Sequence, residues 1–217
     1  LCFSATASFI VAAATAVIGI ALLRHVRYPK EILVAIVPLL FALQQTVEGM
    51  LWLQLSGPPG KDNVAGLTLA FLLFAQVLWP VYTAIAVVLV EPDYRKRAIL
   101  YAIAVAGMML SVYLATGLLG DTQVARIQGH SIAYGARFNP LSWQQIPYII
   151  CTGLPPLISS HKPIRIFGIS ILIGFFISAY FFVATFVSVW CFFAAAGSVL
   201  LYFCFKRDAL RVGYSLP

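Results

Sequence analysis

Charge is what this sequence lacks. Asp, Glu, Lys and Arg make up 10% of its 217 residues while 62% are apolar, whereas an ordinary soluble domain carries roughly 25% charge. That balance excludes a water-soluble globular fold and points to a chain dissolved in a bilayer. Acidic side chains are the scarcest, 7 against 14 Lys and Arg. The net charge of +7 does not indicate nucleic acid, because the basic residues stand in short clusters between long apolar runs rather than along one polar face. Histidines are few and lie on both sides of the membrane inferred below, so no multi-histidine zinc site, and no metal, is expected. Cysteine pairs are missing too. Cys151, Cys191 and Cys204 fall inside apolar runs, Cys2 sits at the start, and no CxxC or zinc-knuckle spacing occurs, so each reads as a small packing hydrophobe. No basic stretch precedes the first apolar run, which therefore reads as a retained span rather than a cleaved secretory signal.

What the sequence does have is long apolar runs. A membrane span needs about 20 mainly apolar residues. Seven segments qualify, approximately 3–23, 32–54, 65–90, 98–119, 144–160, 165–184 and 187–205, the fifth being short and broken by proline. Arg24, Arg27 and Lys30 lie between the first two spans, Arg95, Lys96 and Arg97 between the third and fourth, Lys162 and Arg165 between the fifth and sixth, and Lys206, Arg207 and Arg211 after the seventh. The alternate loops hold only Lys61, Arg126 and Arg137. By the positive-inside rule this predicts an all-α, seven-transmembrane helix bundle, residues 1–217 as one integral membrane domain, with an external N-terminus and a cytoplasmic C-terminus. In the first span, Ala12, Ala16 and Gly19 predict a close helix contact. The external segment from Gly120 to Trp143, between helices four and five, is long, and its VARIQGHSIAY core predicts a small hairpin around a glycine turn.

Polar groups converge in FALQQTVEGMLW, residues 41–52. At helical spacing Gln44 and Gln45 flank Glu48 on one side and Trp52 follows one turn later. Glu48 is the acidic residue well inside a span; Glu31, Glu91 and Asp208 lie near cytoplasmic ends, within reach of water and the loop arginines. A carboxylate in hydrocarbon costs at least ~2.5 to 3.5 kcal/mol, so Glu48 must face the bundle interior. There it serves either as a proton, cation or ligand site or as a protonated tie between helices. Counted from Glu31 at ~1.5 Å per residue, Glu48 lies in the outer part of the membrane, and Gln76 nearer the middle. The pattern predicts a pocket opening outward beneath the long loop, with His130, Arg126 and Arg137 on its lid and Trp190 at its aromatic rim. Pro80 is expected to free the carbonyl of Gln76, and Pro155 and Pro156 those of Cys151 and Thr152. His25 and His161 read as topology residues beside basic clusters. The aromatic run around Trp190 reads first as packing, and a flat hydrophobic ligand such as a quinone or pigment is a further use of it.

The segments CFSATASF at 2–9, QQTVEGMLW in the second span and SVWCFFAA at 188–195 resemble an uncharacterised bacterial family of multi-pass membrane proteins, along most of the chain. The resemblance implies a single seven-span unit in the bacterial inner membrane and supplies no activity or cofactor. Retinal chemistry is disfavoured, because the last span holds no lysine before Lys206. Three functions stay open: an outward-facing site for a proton, small cation or small polar ligand in sensing or transport; a non-catalytic subunit or lipid- or pigment-binding protein, partnered by the bilayer, other membrane subunits or its own copies; and an intramembrane enzyme using Glu48, for which no nucleophile stands at recognisable spacing.

Overall fold

The computed structural model describes residues 4–57, 63–135 and 145–206. Among these the chain forms seven helices: α1 Ala5–Leu23, α2 Pro29–Leu55, α3 Val64–Val90, α4 Tyr94–Gly120, α5 Ile146–Ile158, α6 Lys162–Phe181 and α7 Val183–Leu201, the last running on into Tyr202–Lys206. Six are long and apolar enough to cross a membrane. The exception is α5, whose 13 residues rise only about 20 Å. One hairpin stands beside the helices, β1 Ala125–Gln128 and β2 Ser131–Tyr134, paired antiparallel with Ala125 opposite Tyr134. Its turn needs Gly129, whose φ of 62° suits a residue without Cβ.

The turns after α1, α3 and α5 gather at one end of the bundle with the tail of α7, where His25 meets Tyr202 edge-on. The hairpin packs at the other end, against α2, α3 and the start of α7. The two ends are built differently. At the basic end the turns leave backbone amides without partners in a helix ladder, and carboxylates accept from them. Glu31 accepts from the amides of Arg27 at 2.9 Å and Tyr28 at 3.3 Å, and Glu91 from those of Ser160 at 2.8 Å and Asp93 at 3.2 Å. Both glutamates are buried. The expectation that water and loop arginines reach them is therefore corrected: the arginines turn to carbonyls instead. Arg97 donates to Glu91 O at 2.8 Å and Arg165 to Ser159 O at 3.1 Å. His161, read from sequence as a topology residue, is likewise buried, with its Nε2 2.8 Å from Val90 O.

Helix α1 lies along α2 through the buried stripe Ser8, Ala12, Thr15, Gly19 and Leu22. Small residues permit this approach, and a Cβ on Gly19 would press into Leu39. Ala16, expected in that contact, is only partly buried. Helices α3 and α4 come closer still, because Gly107 faces the carbonyl of Pro80 with no room for a methyl group.

Helix α3 changes its winding midway. Residues Leu73–Leu78 are π-helical, with each amide reaching back five positions instead of four. Pro80 has no amide to give, so at π-helical spacing the carbonyl of Ala75 loses its donor as well as that of Gln76, the one expected from α-helical counting. The hydroxyl of Tyr148 on α5 donates to Ala75 O, and Ser111 on α4 donates to Val77 O at 2.6 Å. Proline does the same on α5, where the freed carbonyl of Cys151 accepts from Thr83 on α3 at 2.9 Å. Helices α3 and α5 thus satisfy each other's broken ladders.

Candidate functional site

Gln44, Gln45 and Glu48 sit two to three turns from the hairpin end of α2, and the stripe they form faces inward. Gln44 and Gln45 are fully buried and Glu48 is 2% exposed. Gln45 Nε2 donates to Glu48 Oε2 at 3.1 Å, and the hydroxyl of Tyr134 donates to Oε1 at 3.4 Å. Ser188, at the start of α7, is a third hydrogen-bond partner of the carboxyl. Three separate elements therefore meet on one acid, and each contributes a neutral group. Among the described residues no Lys, Arg or His is paired with it.

The neighbouring amide is tied elsewhere. Trp79 Nε1 on α3 donates to Gln44 Oε1 at 2.9 Å, and the Trp79 ring stacks on Phe41 with centroids 4.2 Å apart. Two polar atoms are left over. Gln44 Nε2 finds only the soft sulfur of Cys191 on α7, a weak acceptor, and Gln45 Oε1 has no partner among the described residues. Buried polar atoms are seldom orphaned, and those that are call for an explanation.

Tyr134 is held from two sides. Its ring lies parallel to Phe71 at 4.5 Å, and its hydroxyl reaches Glu48. Burial, and after it the nearby carboxyl of Glu48, pushes its phenol well above the ordinary tyrosine range. That shift favours the neutral phenol, which donates.

The remaining expected residues divide. Trp52 is buried beside the cluster on α2, without a polar role. Gln76 lines a cavity with Gln145, Tyr148 and Trp190. The Trp190 indole donates to Ile171 O at 3.0 Å, so its ring, not its N–H, faces that space. His130 and Arg126 are exposed, at the turn and on β1, and neither is bonded to Glu48. Arg137 lies outside the described residues. The hairpin's polar contribution comes instead from Tyr134, which sequence reading passed over along with Cys191 and Tyr148. The signal available for Tyr134 was the alternating pattern of its strand, which set it on one face without saying what that face would meet.

Six apolar helices of spanning length, with a polar cluster sealed among them, give the architecture of a multi-pass membrane protein. Within that class the chain belongs to DUF6629, a family of unknown function, whose model matches residues 1–213. Neither a curated protein nor a solved structure matches it.

Proposed function

We propose that the protein spans a membrane seven times, hairpin end outward and basic end in the cytoplasm of a bacterium, and that Glu48 binds a proton or one small monovalent cation. Occupancy is passed to the hairpin through Tyr134, in sensing or transport. The observation that carries this reading is a buried carboxyl held by neutral partners, with an unsatisfied amide oxygen on the next turn. One negative charge without a cation is neutralised by one proton or one monovalent ion. For a proton, the acid O–H needs an acceptor, and Gln45 offers one when its amide turns over, since the carbonyl and NH2 ends have nearly the same shape. For a cation, Glu48, Gln45 Oε1 and Ser188 Oγ form an oxygen set of the kind hard ions prefer. The large apolar side chains outside the bundle, Val17, Met109 and Phe176 among them, support the membrane setting.

Infrared difference spectroscopy on the purified protein tests the site. A protonated-carboxyl band that appears and vanishes with pH, shifts when sodium replaces a large inert cation, and is lost in Glu48→Gln is the expected result. A band that never responds to pH or to the cation leaves Glu48 as a fixed tie between helices and ends the proposal.

A further inference from the structure

Two cavities lie side by side in the bundle and have wall residues in common. The first is a chamber of 60 Å³ running toward the basic end, from Trp190 and Cys191 to Val34, Ile164 and Leu201. Its volume exceeds the roughly 10–15 Å³ that one water needs, so size does not keep water out. Its chemistry does. The polar side chains on its wall have turned their polar atoms into the protein: Thr83 bonds Cys151 O at 2.9 Å, Thr152 bonds Tyr148 O at 2.7 Å, Trp79 bonds Gln44 and Trp190 bonds Ile171 O. Tyr148 is spent on Ala75 O. A space that offers water no partners stays dry and takes apolar guests.

The second is a vestibule of 120 Å³ nearer the hairpin end, and it shares Tyr148, Trp190 and Cys191 with the chamber. Its other walls include Phe186 and the amides of Gln76 and Gln145. Those two amides, unlike the chamber's polar groups, carry no hydrogen bond to another described residue; one stands on α3 and the other at the N-cap of α5. Aromatic faces with two free donor and acceptor groups suit a flat ring that carries carbonyls.

We infer that the joined spaces form a binding site for a slender amphiphile, with a planar carbonyl-bearing head of one ring in the vestibule and a single apolar chain in the chamber. The polarity gradient sets the orientation. Gln76 and Gln145 donate to the head's carbonyls, Tyr148, Phe186 and Trp190 enclose its faces, and the chain replaces empty space beside Phe41, Phe167 and Ala194. This site stands apart from Glu48, which lies behind the Cys191 wall, and does not depend on its titration.

Quenching of tryptophan fluorescence provides the test, because Trp79 and Trp190 line these spaces. The protein in lipid nanodiscs is titrated with para-benzoquinone bearing one decyl chain and with the ring alone. The chain-bearing quinone is expected to quench saturably. Ala194→Leu, which fills the chamber, is expected to weaken it about tenfold or more, the range one to a few buried methylenes command, while binding of the bare ring is unchanged. Gln76→Leu, at a half-buried position that the fold tolerates more readily, weakens both. Quenching that rises linearly with dose, as simple partition into lipid would give, or identical saturation in wild type and both variants, overturns the inference.

Discussion

At the scale of single residues, the Glu48 carboxyl and the Tyr134 hydroxyl are separated by 86 positions in sequence and 3.4 Å in space. Tyr134→Phe keeps the ring on Phe71 and removes the donor. It takes away one of the three neutral partners of a buried carboxyl, at a cost of about 1–3 kcal/mol. Hydrogen exchange is expected to quicken at the hairpin amides of residues 125–134 and stay slow in the helices; uniform quickening throughout would show that the bond serves the whole bundle. Glu48 and its two glutamines were legible in the sequence because three positions at helical spacing define a face whatever the rest of the chain does. Tyr134 was not, because where a hairpin docks is decided by tertiary packing, and His130 drew the eye through its titrating ring although the turn carries it into solvent. The buried Glu31 and Glu91 were misread for a related reason: position near a helix end says nothing about how the turn folds back over the side chain.

At the scale of elements, α3 and α5 are joined by a reciprocal exchange. Tyr148 on α5 completes the ladder of α3, and Thr83 on α3 completes that of α5. Tyr148→Phe and Thr83→Val should each lower the thermal midpoint in detergent, each leaving one proline-freed carbonyl unsatisfied at about 1–3 kcal/mol. Equal midpoints for wild type and both variants would show that water or another group takes over. The prolines announced free carbonyls in the sequence, and the Cys151 carbonyl was foreseen correctly. The π-helical stretch was not legible, since LFAQVL carries no breaker of its own, and it adds Ala75 to the carbonyls that Pro80 leaves to a neighbouring helix. The brevity of α5 was visible in the proline pair and the polar residues before it.

At the scale of the whole molecule, the charge clusters and apolar runs made the helix count and most boundaries legible, because lipid imposes length and leaves little freedom in where a helix ends. The cavities were not, since they depend on how side chains of six helices interlock. The proposed sidedness rests on charge alone and has its own test. Gln128→Cys, on the exposed strand β1, should react with a membrane-impermeant maleimide on intact cells, and Arg24→Cys at the opposite end only after the membrane is breached. The reverse pattern would invert the orientation and place Glu48 toward the cytosol.

Tyr148 has a double posting, as a bolt across the seam of α3 and α5 and as a wall of both inner spaces. Anything lodged in those spaces leans on the bolt. The seam is also where two helices have already surrendered part of their own ladders, so a small displacement there loosens neither helix internally. The bundle thus carries a seam between two helices that rests on two hydroxyl contacts.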